Sequence, residues 1–227
     1  VADRAGAFGL PTETGANRLN LACRGQLGGL ALVVESASPA VHDRRTYHDK
    51  ALLPCQKLFH VGMVVRDREL AIGAFERLLG IDGFLRMGLH TDQGLKVWID
   101  GQPVEHHART AFGRVGGFAC ELMEPLGGDG LYQRFLAAHG EGPQHYFPTI
   151  LNPADFAAVR EALARVGLAV RLEGALDEAM RYYYLDSGPL MGMCIEIIVP
   201  ERPDWWQRLG MTAADAWRVG LVPWRRP

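Results

Sequence analysis

Lysine is almost missing from this chain: Lys50, Lys57 and Lys96 are the only three. No stretch interleaves basic and aromatic residues, and the formal net charge is -2. That excludes a global field for nucleic acid or for an acidic membrane surface. Cysteine is also sparse. Cys23, Cys55, Cys120 and Cys194 form no C-x-x-C pair, and the last two sit inside apolar runs. They read as small buried hydrophobes of a reducing compartment, not as a disulfide framework. No apolar run approaches the roughly 18 residues a bilayer-crossing helix needs. Leu27–Val34 is similar to a short signal core, but it starts late and follows no clean basic segment, so a cytoplasmic location is expected. What remains is an ordinary globular composition. The chain has 227 residues, 48% of them apolar and 22% charged, enough for one domain or two small ones with a substantial core.

Periodicity is uneven along the chain. Residues 1 to about 52 mix Gly, Ala, Arg, Thr and Pro with no sustained period, and the first methionine is Met63. Two readings stay open there, an over-extended reading frame or an arm that packs on a partner subunit. From Lys57 the pattern becomes regular. Lys57–Val65 predicts a strand, and Asp67 caps a helix whose stripe is Leu70, Ala74, Phe75, Leu78 and Leu79. Gly80 ends that helix. Phe84–Met87, Leu95–Ile99 and Gly117–Met123 follow as strands, with Asp100-Gly101 as a turn.

The same order then returns. Gln144–Leu151 is a strand, and Pro148 inside it points to an edge or a bulge. Asn152-Pro153 caps a second helix with the stripe Phe156, Val159, Leu163 and Val166, ended by Gly167. Leu168–Leu172, Arg181–Leu185 and Met191–Val199 are its three strands. Each half reads strand, helix, three strands, and such duplication fixes a fold. The segment joining the halves carries a short helix with Leu131, Phe135 and Leu136. The expected division is an extension over 1–52, a two-module domain over 53–200 (modules 57–124 and 144–199), and a tail over 201–227. The tail holds Trp205, Trp206, Trp217 and Trp224, read as extra packing.

Four residues carry chemistry. Glu196 lies in Met193–Val199, a run otherwise apolar on both faces, and Glu121 lies in the same way in Gly117–Met123. An unpaired carboxylate in such a place costs several kcal/mol, so a cation or strong donor is expected beside it. His60 and His145 lie in the first strands of the two halves. Each half therefore offers one imidazole and one carboxylate from equivalent strands, and a pseudo-two-fold pairing brings all four to one point. Two imidazoles and two carboxylates suit a divalent transition metal with open positions, which polarises a carbonyl or enolate oxygen.

These residues resemble a known family. The chain, over about residues 57–199, resembles the vicinal oxygen chelate superfamily of glyoxalase I, methylmalonyl-CoA epimerase, extradiol dioxygenases and bleomycin-resistance proteins. Phe59–Asp67 is similar to the family's opening strand and helix start, and Cys194–Ile197 to its closing strand. Glu121–Leu126, Phe135-Leu136 and Gly140–His145 are similar to the middle of methylmalonyl-CoA epimerases. Gln144-His145 stands where that pattern has His-His. The resemblance implies an α+β fold of two βαβββ modules pairing into a cleft-shaped mixed sheet, and a homodimer. It implies a divalent metal (Co, Ni, Mn, Zn or Fe) held by His60, Glu121, His145 and Glu196, with Glu196 also working as base and Glu121 as the alternative.

Three functions follow as expectations. The first is an isomerase or lyase that abstracts the proton α to a carbonyl of a small carbonyl or acyl-thioester substrate. The scarcity of lysine weighs against a CoA phosphate site. The second is an extradiol-type Fe(II) dioxygenase using His60, His145 and Glu196 alone, so Glu121 discriminates between the two. The third is a non-catalytic binder of the same fold. Tyr182 and Tyr184 share a strand face and line the pocket or the core. His106 is a further candidate base, but His106-His107 reads first as a solvated loop pair.

Overall fold

A computed structural model describes residues 53, 55–81, 83–116, 118–187, 192–208 and 210–218, together with three earlier strands. Those strands are β1 (Thr12–Gly15), β2 (Arg18–Ala22) and β3 (Ala31–Glu35), which pair in order as an antiparallel sheet of their own. Cys23, Lys50, Gly117, Met191 and Trp224 lie outside the described residues, as does the side chain of Trp217.

The first module opens with β4 (His60–Val64) and α1 (Arg68–Leu79). The Asp67 carboxylate accepts the Leu70 amide at 2.9 Å, and Gly80 takes the left-handed conformation (φ 65°) that ends the helix. Next come β5 (Leu85–His90), a single 3-10 turn (Thr91–Gln93), β6 (Leu95–Ile99), β7 (Gln102–Pro103), β8 (His106–Val115) and β9 (Phe118–Gly128). Helix α2 (Leu131–His139) joins the modules. The second consists of β10 (Gly142–Ile150), α3 (Pro153–Arg165), β11 (Val170–Leu176), β12 (Met180–Leu185) and β13 (Cys194–Pro200). Short helices α4 (Trp205–Arg208) and α5 (Ala213–Arg218) follow.

One ten-stranded mixed sheet holds both modules, in the order β5-β8-β9-β4-β10-β13-β12-β11-β6-β7. β4 runs parallel to β9, β10 runs parallel to β13, and β4 meets β10 antiparallel at the middle. This is the expected pair of βαβββ modules, with one correction. Leu95–Ile99 is a strand but not a member of its own module. It crosses to the far edge and pairs with β11 (Leu172 with Ile99, Leu176 with Leu95). The missing strand of the first module is β8, so His106-His107 is not a solvated loop: His106 is buried and His107 partly so. Residues 106–115 carry small and polar side chains with no apolar run, which hid the strand. The small residues have a purpose, because a Cβ at Gly113 would crowd the Phe84 ring.

Helix α1 corrects a second expectation. Leu70, Leu78 and Leu79 are exposed, while Arg68 and Ile72 are buried. Apolar residues surround this helix, so periodicity alone cannot choose the face. Arg68 chooses it: its Nη1 donates to the Thr110 carbonyl (3.1 Å), and its backbone amide donates to Glu124 (3.1 Å). Ile72 then packs with Val65, Ile81, Phe84 and Leu122 beneath the sheet. In α3, Phe156 and Leu163 are buried as expected, but Val166 is exposed. Phe156 stacks on Tyr183 at 4.1 Å.

The two helices cover the outer face, and a larger apolar cluster fills the concave face. Trp205 is buried in that inner cluster, with Trp206 packed against it. Both faces of the central strands are therefore covered, which is why their sequences read as continuous apolar runs. Pro148 lies in the central strand β10 at a register shift between Tyr146 and Thr149, so the bulge holds and the edge does not. No helix among the described residues is long and apolar enough to cross a membrane.

Candidate functional site

The site sits on the four middle strands, one side chain from each. Strand alternation puts His60 of β4, Glu121 of β9, His145 of β10 and Glu196 of β13 on the concave face, while Cys120, Leu122, Ile195 and Ile197 point outward into the helix-covered clusters. All four are buried. His60 Nε2 stands 2.8 Å from Glu196 Oε2, 3.1 Å from His145 Nε2 and 3.5 Å from Glu121 Oε2. His145 Nε2 stands 3.3 Å from Glu121 Oε2 and 3.4 Å from Glu196 Oε2. Each imidazole Nε2 thus stands within 3.5 Å of both carboxylates.

These spacings fit a metal. Donors held about 2.1 Å from a divalent ion lie about 3.0–3.4 Å from one another in octahedral or tetrahedral geometry. The donor chemistry fits as well, since imidazole and carboxylate are borderline and hard ligands of first-row divalent ions. His60, Glu121 and His145 alone already form a metal-capable group, and Glu196 reaches two of its members.

The electrostatics point the same way. Burial pushes the His145 imidazole down, but the charge of Glu196 and hydrogen bonds to Glu121 and Glu196 outweigh it and hold it at about 9. Burial pushes the Glu196 carboxyl up, but the charge of His145 and hydrogen bonds from His145 and His60 outweigh it and hold it below the usual carboxylate range. Two buried carboxylates demand positive charge, and a cation can take the place of these protons.

Two supporting residues escaped the sequence reading. Gln144 is buried, and its Oε1 accepts from His145 Nδ1 at 2.8 Å, which turns the Nε2 lone pair of His145 toward the common point. Gly62 faces His145 across the β4–β10 pair, and any Cβ there would overlap the imidazole. A lone glycine inside a strand marks such a close approach, and that was the available signal. His60 is held by packing: its ring lies 5.0 Å from Phe147 and 5.6 Å from Phe112.

A cavity of about 70 Å³ opens above His60, Glu121 and Glu196. Met87, Leu89, Phe112, Leu176, Met180 and Trp205 make most of its wall apolar. Tyr182 and Tyr184 both line it, as expected, with Tyr132. The Tyr132 and Tyr184 hydroxyls bond each other at 2.7 Å. The buried Tyr182 hydroxyl and Thr110 Oγ1 have no protein partner. Burial, then the charges of Glu196 and Glu121, push the Tyr182 phenol far above its usual range, so it stays a neutral donor. His106 lies outside this site against Tyr132, pulled down to about 4 by burial and then by His107 and His90.

Residues 59–185 match the model of the glyoxalase/bleomycin resistance protein/dioxygenase superfamily. The chain belongs to this superfamily. No curated protein matches it in sequence. Among solved structures, this superfamily member is similar to methylmalonyl-CoA epimerase from Mycobacterium tuberculosis, at 24% identity and a TM-score of 0.44, over 63% of this chain and 87% of that one. It is similar to a Streptomyces coelicolor methylmalonyl-CoA epimerase variant in complex with 2-nitronate-propionyl-CoA, at 20% identity and a TM-score of 0.44, over 63% and 96%. A hypothetical protein from Bacillus halodurans C-125 is similar at 19% identity and a TM-score of 0.45, over 64% and 95%.

Proposed function

We propose that this superfamily member is a divalent-metal-dependent isomerase or lyase that removes the proton α to a carbonyl. The observation that carries the reading is the meeting of two imidazoles and two carboxylates at the floor of an apolar cavity. His60, Glu121, His145 and Glu196 would hold the ion, one of Co, Ni, Mn, Zn or Fe. A bound divalent ion supplies Lewis acidity that stabilises negative charge on a substrate oxygen.

The rest belongs to the chain's own side chains. Glu196 is ionised at neutral pH and is the first choice to accept the α proton, with Glu121 beside it as the alternative. Tyr182 and Thr110, both lining the cavity, offer buried hydroxyls with no protein partner that can stabilise a developing oxyanion. The apolar wall keeps water from competing for that charge. A cavity of about 70 Å³ takes the reacting end of a small carbonyl or acyl-thioester substrate, with any larger remainder outside. Glu121 as a fourth donor supports proton transfer over an Fe(II) dioxygenase, which needs open positions for oxygen and substrate. The same reading includes a homodimer in the cytoplasm, and a solution mass near twice 25.0 kDa would support it.

Deuterium exchange at the α carbon tests the reaction. Metal-loaded protein in heavy water should label acyl-CoA or hemithioacetal substrates. Glu196→Gln should slow labelling by about 10²- to 10⁴-fold. Silence across the panel from protein that carries its metal overturns the proposal, and oxygen uptake with catechols and Fe(II) would put the dioxygenase in its place.

A further inference from the structure

A second group of metal-ligating side chains lies at the end of the β5–β8 pair, away from the four central strands. His90 ends β5, and His107 faces it across the β5–β8 pair. Their Nδ1 atoms stand 3.4 Å apart. Asp92, on the 3-10 turn that follows β5, brings its Oδ1 within 3.6 Å of His107 Nδ1. The three donor atoms all lie within 4.8 Å of one another.

Three features aim these side chains. His107 Nε2 lies 3.0 Å from Glu105 Oε1; a proton donated there leaves the Nδ1 lone pair facing His90 and Asp92. The β8–β9 pairing shifts register between His107 and Ala108, and such a bulge turns a side chain away from the regular alternation. Gly88 lies on the same face as His90, and a Cβ there would stand only 2.8 Å from His90 Cδ2 and Nε2. The glycine lets the His90 ring lie back along β5 with Nδ1 turned to His107.

We propose that His90, Asp92 and His107 form a second divalent-metal site, with zinc, nickel or cobalt as the fitting class. Two imidazoles and one carboxylate are the donor set of an open site, and the Asp92 side chain is 68% exposed, so water completes the coordination. The position gives the site a role. Residues 91–94 carry the chain from β5, one edge of the sheet, to β6, next to β7 at the other edge. Met87 and Leu89 of β5 line the cavity below. A cation between His90, Asp92 and His107 clips this crossover to β8.

Zinc chloride titrated into metal-stripped full-length protein tests the proposal by calorimetry and by metal content after gel filtration. Asp92→Ala and His107→Ala should each bind one zinc fewer than the parent chain. Glu105→Gln should keep the number but weaken that site by about 10- to 100-fold. His145→Ala should leave it intact. Asp92 and Glu105 are exposed, so these two variants report on the site without threatening the fold. A single zinc lost in Asp92→Ala and kept in His145→Ala supports this second site while sinking the central one. Equal zinc content in the parent, Asp92→Ala and His107→Ala overturns the proposal.

Discussion

At the scale of single residues, Gly62 is tightly constrained by the site. Its missing side chain is the space that the His145 imidazole occupies. Gly62→Ala should displace that ring and cut metal affinity at least about tenfold, as loss of ligand orientation does elsewhere, while the far-ultraviolet circular dichroism stays unchanged. Metal content after dialysis against a fixed free-metal buffer reads the effect. Unchanged content would mean that His145 is not held there for a metal. Gln144→Leu makes the complementary case, because it removes the acceptor of the His145 Nδ1 proton and keeps the side chain's bulk. An affinity drop of about 10- to 100-fold is expected, with little change in secondary structure.

At the scale of elements, α1 docks through Arg68 and Ile72, not through its leucines. Ile72→Ala should destabilise the fold by about 2–5 kcal/mol, and Leu78→Ser should stay within about 0.5 kcal/mol, both read by urea unfolding. An electrostatic tie joins the same helix to β5. Hydrogen bonds from Arg86 and then Arg68 hold the Glu69 carboxyl at about 2 instead of 4.5. The folded pKa is depressed, so the stabilisation is complete above about 4.5 and is lost as pH falls toward 2. The Glu69 side chain is 48% exposed, so screening limits the contribution to about 1 kcal/mol at most. Glu69→Gln should be weaker than the parent at pH 7, and the gap should shrink at low pH and in 1 M salt (roughly 3 Å Debye length).

Elements also show what the sequence could reveal. The duplicated strand and helix pattern and the meeting of Glu121 and Glu196 with His60 and His145 were legible, because a carboxylate inside a two-faced apolar run is anomalous wherever it falls. The edges were not. β8 lacks an apolar run because it packs small residues against Phe84 and carries Arg68's acceptor. β6 was seen as a strand, but its Leu95, Val97, Ile99 alternation fits any sheet edge equally well. The orienting roles of Gly62 and Gln144 depend on register between distant strands, which no local pattern encodes.

At the scale of the whole molecule, the proposed central site spans the joint between modules. His60 and Glu121 come from the first, His145 and Glu196 from the second. Metal bound only by the folded chain should therefore stabilise both modules together. At a free concentration of about 100 times Kd the gain is about 2.7 kcal/mol. Scanning calorimetry with and without a chelator should show one transition moving by several degrees. Two separate transitions would mean that the modules melt independently.

The crossing of β6 has its own consequence for how the chain is made. Its partner β11 is synthesised only after β8, β9, α2, β10 and α3. Until then the Leu95, Val97 and Ile99 side chains and the backbone edge of β6 have nothing to close against. The two modules repeat one pattern, yet a nascent first module is an unfinished object. A fragment ending at His139 should aggregate, where a true tandem repeat would yield a soluble half.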